Sequence, residues 1–131
     1  MDSKRYQDWF YKAKTDLRGA QVLFEADVDN SLVAFHCQQA IEKMLKGFVL
    51  KHTKELLEGH SLVFLIRRAS RIDEEMRKFT KDCAFVNQFY IETRYPADIP
   101  DEVDEYEVNE CLQTAIEVLS YINNKEESEQ N

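Results

Sequence analysis

Residues 35–46 read FHCQQAIEKMLK and lie within the most regular apolar pattern of the chain. Apolar side chains recur there at steps of three and four residues, which is the period of one helix face. The pattern predicts a helix over about 31–52. Its inward face holds Ala34, Cys37, Ile41, Met44, Leu45 and Phe48. Glu42 and Lys46 stand at (i, i+4) on the polar edge, where we expect a solvent-exposed ion pair.

Four further segments show the same helical period, and short links separate them. They predict helices at about 4–26, 61–72, 74–93 and 104–123. Asp29 or Asn30 is the expected N-cap of the second helix, and Ser61 that of the third. Together the segments predict an all-α fold, an antiparallel up-and-down helical bundle of four long helices plus one short helix. A single helical domain over residues 1–124 contains them all, and residues 125–131 form a polar tail that we expect to fray.

Composition limits the classes of protein that the chain can form. Its 131 residues include only three glycines and two prolines, which is little turn punctuation for a multi-stranded sheet. The hydrophobic fraction of 44% excludes a disordered chain, and no apolar run is long enough to span a membrane. The N-terminus lacks the apolar segment of a secretory signal. Cys37, Cys83 and Cys111 lie on apolar helix faces, which indicates buried thiols in a reducing, cytoplasmic compartment.

Charge is distributed unevenly along the chain. Residues 1–81 hold 15 Lys and Arg against 12 Asp and Glu, whereas residues 82–131 hold 2 against 13. A general nucleic-acid coat needs a basic excess that the chain, at −8, does not have, so no DNA partner is expected. Any polyanion would have to meet a local basic pocket. The acidic half is either a solvated face or a docking face for a basic partner.

The sequence offers no metal site and no activated nucleophile. His36, His52 and His60 are scattered, and none has a His or Cys ligand partner at helical spacing. His60 precedes a helix start, where a ring nitrogen can bond a free backbone group. The glycines are isolated, which excludes a phosphate-binding glycine loop. We therefore expect no metal and no cofactor, and we assign no catalytic residue.

Residues 90–96 read YIETRYP and bring an arginine to the point where a helical pattern stops. The guanidinium of Arg94 is a planar fork of donors that suits phosphate or carboxylate. It can equally cap the helix by bonding the last carbonyls. Lys43 and Lys46 have a similar alternative, as solvated lysines beside the buried face of the second helix.

Three fragments in order resemble the HEPN family, the prokaryotic and eukaryotic nucleotide-binding helical domains. They are FHCQQAIEKMLKGFV, GHSLVFL and FYIETRYP, at 35–49, 59–65 and 89–96. The resemblance implies a helical bundle that forms a homodimer. It also implies pairing with a small nucleotidyltransferase-fold protein, often as a toxin–antitoxin-like module. Many members of the wider superfamily are metal-independent ribonucleases, whose signature is an arginine followed after four to six residues by a histidine.

The chain departs from that ribonuclease signature. Counting from Arg94, the histidine would fall at Ile99, Pro100 or Asp101, and none of these is a histidine. An aspartate does not supply the near-neutral acid–base chemistry of an imidazole. The arginine that suits phosphate is retained, whereas its proton-transfer partner is missing.

Three hypotheses from different classes follow. The first is a non-catalytic, dimeric nucleotide- or phosphate-binding module that acts with a nucleotidyltransferase-like partner. Its ligand, a nucleotide or RNA, would be held by Arg94, Tyr95, Lys43, Lys46 and His60. The second is an endoribonuclease toxin that uses another base, such as His60 or Asp101. The third is a structural interaction protein whose acidic last helix docks a partner.

The large aromatics Phe10, Phe35, Phe85 and Phe89 lie off the main apolar faces, which also favours a homodimer.

Overall fold

Helix α2, Asn30–Thr53, is the central element of the protein. The computed structural model describes residues 2–90 and 102–130, and all regular elements in this part of the chain are helical. The all-α prediction is confirmed. The other elements are α1 (Tyr6–Glu25), α3 (Leu62–Ile72), a 3-10 helix (Glu74–Phe79), α4 (Thr80–Asn87) and α5 (Glu105–Gln130). Helix α2 packs against each of the other four α-helices, which explains why its apolar residues are buried around most of its circumference.

Side-chain contacts give the directions of the helices. Asp16 of α1 pairs with Lys43 of α2, and Phe10 lies against Gly47, so α1 and α2 are antiparallel. Helix α5 runs in the same direction as α2, because Asn30 bonds Val103 near one end and Lys51 bonds Glu126 near the other. Helix α1 is therefore antiparallel to both α2 and α5, which run parallel to each other.

The predicted helix starts agree with the observed caps. Asp29 accepts a hydrogen bond from the backbone N–H of Ser31 at 2.9 Å, and Ser61 accepts one from Phe64 at 3.1 Å. Both are N-cap bonds that satisfy free amides of the first helical turn. The αL conformation of Lys54 ends α2. Residues 54–61 then return the chain along the surface of α2 to the start of α3.

Two predicted elements differ from the structure. The fourth helix, predicted at 74–93, is a 3-10 helix over Glu74–Phe79 followed by the short α4, and residues 91–93 lie outside the described part. Met76 and Phe79 are both buried, and their three-residue spacing suits a 3-10 helix, in which positions i and i+3 eclipse. The last helix does not end at residue 123 but continues to Gln130, so residues 125–130 form its final turns.

One apolar core joins residues from all five α-helices and the 3-10 helix. It contains the three free cysteines, all of them buried as predicted. Two aromatics that the sequence suggested a single chain would leave uncovered are also buried, since Phe35 and Phe89 are 8% and 4% exposed. Those two rings therefore give no support to a homodimer. None of the described helices combines the length and the apolar character that a membrane span requires.

The two helical glycines differ in their surroundings and give a matched pair of variants. A Cβ at Gly47 would lie 2.8 Å from two Phe10 ring carbons and 3.0 Å from the Cβ of Trp9, whereas a Cβ at Gly19 would meet nothing within 4 Å. We expect Gly47→Ala to lower the free energy of unfolding by about 1–2 kcal/mol, since overpacking outweighs the gain in helix propensity. Gly19→Ala should raise it by up to about 1 kcal/mol. Urea denaturation followed by circular dichroism measures both, and a stabilising Gly47→Ala would contradict the close approach of α1 and α2.

Candidate functional site

A cavity of about 470 Å³ lies where the return segment at residues 54–60 passes over α1 and α2. Its lining combines cationic, acidic and apolar groups: Asp2, Trp9, Gln39, Glu42, Lys43, Lys46, Leu56, Leu57, Glu58, Gly59 and His60. We call it the α2 cavity. Three of the residues that the sequence singled out, Lys43, Lys46 and His60, contribute to this one surface. Their role in binding phosphate stays a prediction.

The carboxylate of Glu42 is the centre of the polar network in the α2 cavity. Lys46 Nζ lies 3.0 Å from one of its oxygens, and His60 Nδ1 lies 3.0 Å from the other. Gln38 Nε2 donates to the same carboxylate at 3.3 Å and to the backbone carbonyl of His60 at 3.1 Å. The network thus ties the return segment to the middle of α2.

The expectation of a solvent-exposed Glu42–Lys46 pair was wrong. Glu42 is 3% exposed and Lys46 is 5% exposed. The pair has the predicted (i, i+4) geometry, but the return segment and α1 cover it. Burial raises the cost of separating the two charges, because the folded protein shields both of them from most of the water.

Trp9 forms the apolar wall beside this ion pair. Lys46 Nζ lies 5.7 Å from the centre of the indole ring, within the range of a cation–π contact. The indole N–H donates to the carbonyl of Ser3 at 2.7 Å, which fixes the ring. Trp9 is the single tryptophan of the chain, so its fluorescence reports on this cavity alone.

His60 is held differently from the expectation of a bond to a free backbone group. Its Nδ1 faces the Glu42 carboxylate, and its ring stacks on Tyr90 with the ring centres 4.5 Å apart and an interplanar angle of 15°. Tyr90 in turn stacks on Phe35 at 6.2 Å. The carboxylate favours the tautomer with hydrogen on Nδ1, which leaves Nε2 as the acceptor. The His60 side chain is 49% exposed, so that nitrogen belongs to an accessible group.

Lys43 also forms an ion pair, and its partner lies on α1. Its Nζ lies 2.6 Å from Asp16, and His36 Nδ1 lies 3.5 Å from the other oxygen of that carboxylate, beyond a short hydrogen bond. Burial by itself raises the pKa of Asp16, but the contacts with His36 and Lys43 outweigh it and hold that pKa below its usual value. A phosphate that binds Lys43 would therefore compete with an ionised aspartate.

This pKa direction predicts a pH-dependent contribution to stability. Because the folded-state pKa of Asp16 is lowered, its ionised form stabilises the fold fully above the unfolded value near 4. The contribution is lost as the pH falls through the folded value. We expect Asp16→Asn to cost on the order of 1–2 kcal/mol at pH 7, and the difference from wild type to shrink below about pH 4. Denaturation from pH 2.5 to 7 measures it, with the exposed Glu25→Gln as control. A constant difference across that range would contradict the assignment.

Arg94 and Tyr95 lie outside the described residues, as do Ile99, Pro100 and Asp101. Tyr90 is the last described residue before that segment. The sequence had not indicated that Glu42 organises the site or that Gln38 and Trp9 take part in it. A lone tryptophan and a glutamine on a helix give no local signal, because their contacts come from the return segment and from α1.

A second polar cluster was not predicted from the sequence. His52, Glu126 and Glu129 have ligand atoms within 4.8 Å of one another. However, the ammonium group of Lys51 bonds Glu126 and lies 3.6 Å from Glu129, so a cation of the protein already pairs with both carboxylates. Burial of the imidazole lowers the pKa of His52. The residue pairs are more than 70 positions apart in sequence, which is why spacing did not reveal them.

The thiols do not supply a nucleophile. Burial raises the pKa of Cys83 and of Cys111 to about 12, and it raises that of Cys37 further. A thiol is reactive as its thiolate, so these three cysteines are core residues.

The fold and the α2 cavity define a small helical-bundle domain with a polar pocket on its central helix. Comparison with family models identifies it further: residues 6–125 match the HEPN domain, and the chain belongs to the HEPN family. The chain is similar to the solved structure of TT1696 from Thermus thermophilus, with 27% identity and a TM-score of 0.76 over 94% of this chain and 99% of that one.

A second solved structure agrees in fold. ST0689, an archaeal HEPN homologue, is 24% identical with a TM-score of 0.71, over 94% of this chain and 98% of that one. At this identity the likeness shows the fold alone. No curated protein matched the chain significantly.

Proposed function

We propose that this HEPN protein is a non-catalytic, cytoplasmic nucleotide-binding module whose ligand occupies the α2 cavity. The observation that carries the proposal is the convergence of Lys43, Lys46 and His60 on one cavity of about 470 Å³. An ammonium group has three donors, and Glu42 takes one from Lys46. Phosphate oxygens would accept from the lysines, while the carboxylate of Glu42 and the amide of Gln39 suit ribose hydroxyls.

The aromatic groups of the site favour a nucleotide over a simple anion. Trp9 lines the cavity, and the His60–Tyr90 stack lies at its edge. Stacking on aromatic faces is worth about 1–3 kcal/mol per base. The carboxylates of Asp2, Glu42 and Glu58 in the same lining make the cavity less suited to a bare polyanion.

Two parts of the proposal rest on the family. We propose a homodimer in which Arg94 and Tyr95 of both subunits complete the ligand site, and a minimal nucleotidyltransferase partner in a toxin–antitoxin-like module. Sedimentation velocity of the pure protein tests the first part. Co-purification with a tagged nucleotidyltransferase encoded by the adjacent reading frame tests the second. A protein that is monomeric at micromolar concentration would overturn the first part, and failure to co-purify would overturn the second.

Fluorescence of Trp9 tests ligand binding directly. We expect ATP, GTP or a short RNA to change the emission of wild type saturably. Loss of one charge-assisted contact in Lys43→Ala or Arg94→Ala should weaken binding about 10- to 100-fold. Lys12→Ala, an exposed lysine of α1 outside the cavity lining, should bind like wild type. Absence of any signal and of any calorimetric heat in wild type, or equal affinity in all variants, would overturn the site.

A second candidate function is favoured by the Glu42–His60 pair. A carboxylate that orients an exposed imidazole through Nδ1 leaves Nε2 to act as a general base. In RNA cleavage it would take the proton of a ribose 2′-hydroxyl, whose oxygen attacks phosphorus as the bond to the 5′-oxygen breaks. The departing 5′-oxygen would take a proton from water. Chelator-resistant cleavage of RNA by wild type, abolished in His60→Gln, would establish this activity. Equal background cleavage by wild type, His60→Gln and Arg94→Ala would exclude this ribonuclease activity, and ligand binding would be the only proposed function left.

A further inference from the structure

A separate cavity lies between α3, the 3-10 helix and the start of α4. It has a volume of about 370 Å³, and its lining consists of Arg67, Ser70, Arg71, Arg77 and Thr80. We call it the arginine cavity. It shares no lining residue with the α2 cavity. Of the residues that the structure describes, three arginines and no Asp or Glu line it, although the chain carries a net charge of −8.

The three arginines lack ion-pair partners within the described part of the chain. No carboxylate of residues 2–90 or 102–130 is paired with Arg67, Arg71 or Arg77. The neighbouring Arg68, by contrast, pairs with Glu55 at 2.8 Å. Lys43, Lys46 and Lys51, which line other cavities, are also paired with carboxylates. The arginine cavity is thus a concentration of positive charge that the fold itself does not compensate.

The local structure creates this convergence at a cost. Arg67 and Arg71 are at (i, i+4) on α3 and therefore lie on the same face of that helix. The core buries other positions of the helix, at Leu62, Leu65, Ile66 and Ala69. Like charges at this spacing destabilise a helix by a few tenths of a kcal/mol. Arg77 reaches the same cavity from the 3-10 helix. The three arginines are exposed and line one concave surface.

The two hydroxyl groups differ in what they can offer a ligand. Ser70 donates its proton to the carbonyl of Ile66 at 2.6 Å, so it has no donor left for an anion. The side chain of Thr80 makes no hydrogen bond among the residues that the structure describes and can donate. No aromatic ring from residues 2–90 or 102–130 lines the cavity, so a ligand would be recognised there through its charge and its acceptor oxygens, not through a base.

We infer that the arginine cavity binds a phosphate group, with Arg67, Arg71 and Arg77 as the ligating cations and Thr80 as a neutral donor. Guanidinium forks match the geometry of phosphate oxygens and form paired hydrogen bonds with them. The bound phosphate belongs either to a free phosphate compound or to the backbone of an RNA strand. This site adds to the nucleotide site proposed above and does not depend on it.

Two probes distinguish the sources. Pyrophosphate, titrated by calorimetry, represents a free phosphate compound, and a labelled ten-nucleotide RNA, followed by anisotropy, represents a phosphodiester backbone. We expect Arg71→Gln/Arg77→Gln to weaken binding of the recognised probe at least tenfold. Arg68→Gln, which changes an adjacent arginine outside the lining, should leave it unchanged. If RNA is the ligand, each arginine removed should also lower the slope of log affinity against log salt by about 0.7.

The outcomes are separable from those for the α2 cavity. No tryptophan lines the arginine cavity, so binding there should be seen by calorimetry or anisotropy even when Trp9 emission is unchanged or Lys43 is replaced. Circular dichroism checks that the variants fold. We expect them to fold because the replaced arginines are exposed. Binding of either probe with the expected loss in the double variant supports the inference. No binding of either probe to wild type, or equal affinity in wild type and the double variant, overturns it.

Discussion

We expect Glu42→Ala to lower the free energy of unfolding by about 3–5 kcal/mol, the typical cost of removing one partner of a buried ion pair. The substitution leaves the ammonium group of Lys46, which is 5% exposed, without its counter-charge. It also removes the acceptor of His60 and of Gln38. Since a domain is stable by only about 5–15 kcal/mol, the variant should lose much of its margin. Guanidinium denaturation at pH 7, followed by helical circular dichroism, measures the change.

Two further variants show whether the buried charge is the cause. Glu55→Ala breaks the Arg68–Glu55 pair, which has a short 2.8 Å contact but a glutamate side chain that is 51% exposed, and should cost less than about 1 kcal/mol. The double variant Glu42→Leu/Lys46→Met leaves no charge unpaired and should recover most of the loss. Equal small effects of Glu42→Ala and Glu55→Ala would show that solvent reaches the α2 cavity pair.

The misjudged exposure of that pair shows what periodicity can predict. The apolar face of α2 was visible in the sequence because core contacts impose a helical repeat on the residue types. The polar edge at Glu42 and Lys46 looks the same whether water or another segment covers it. Residues 54–60 and α1 cover it here, and local spacing carries no information about a segment that returns from elsewhere.

Caps and cysteines were predictable for the same kind of reason. Asp29 and Ser61 bond backbone amides two or three residues further along the chain, so the local sequence is enough to predict them as caps. The break at Phe79 was not, since a 3-10 helix and an α-helix share the apolar spacing of Met76 and Phe79. The 3-10 helix before that break brings Arg77 to the lining of the arginine cavity, which Arg67 also lines.

The candidate site was predictable in part. Lys43, Lys46 and His60 came from the resemblance to the family, and the structure places all three in one cavity. Their partners Asp16 and Glu42 were not foreseen, because an ion pair between helices follows from tertiary packing. These carboxylates set a requirement that the sequence alone did not reveal: a phosphate ligand must displace or share contacts that each lysine already makes.

Ending the chain after residue 124 should lower the free energy of unfolding by about 2–3 kcal/mol, the scale of a hydrogen bond to a buried charged group. Within the deleted segment, residues 125–130 form the last turns of α5. Glu126 is 6% exposed, and it bonds Lys51 and lies 3.3 Å from His52. Removing it leaves the Lys51 ammonium group at the end of α2 without its main acceptor and takes away the partner of the His52 ring. A chain that ends after Glu129 keeps these contacts and is the matched control.

Thermal unfolding of the two truncated chains and wild type decides whether α5 needs its last turns. For a protein of this size the expected loss corresponds to a fall in Tm of roughly 6–15 °C, whereas the control should unfold within about 2 °C of wild type. Glu126→Gln in the full chain should reproduce much of the effect, because it removes the charge and keeps the helix. If that variant is neutral while the truncation is not, the stabilisation comes from helix length and packing. If both are neutral, the contact between α5 and the end of α2 contributes nothing to the fold.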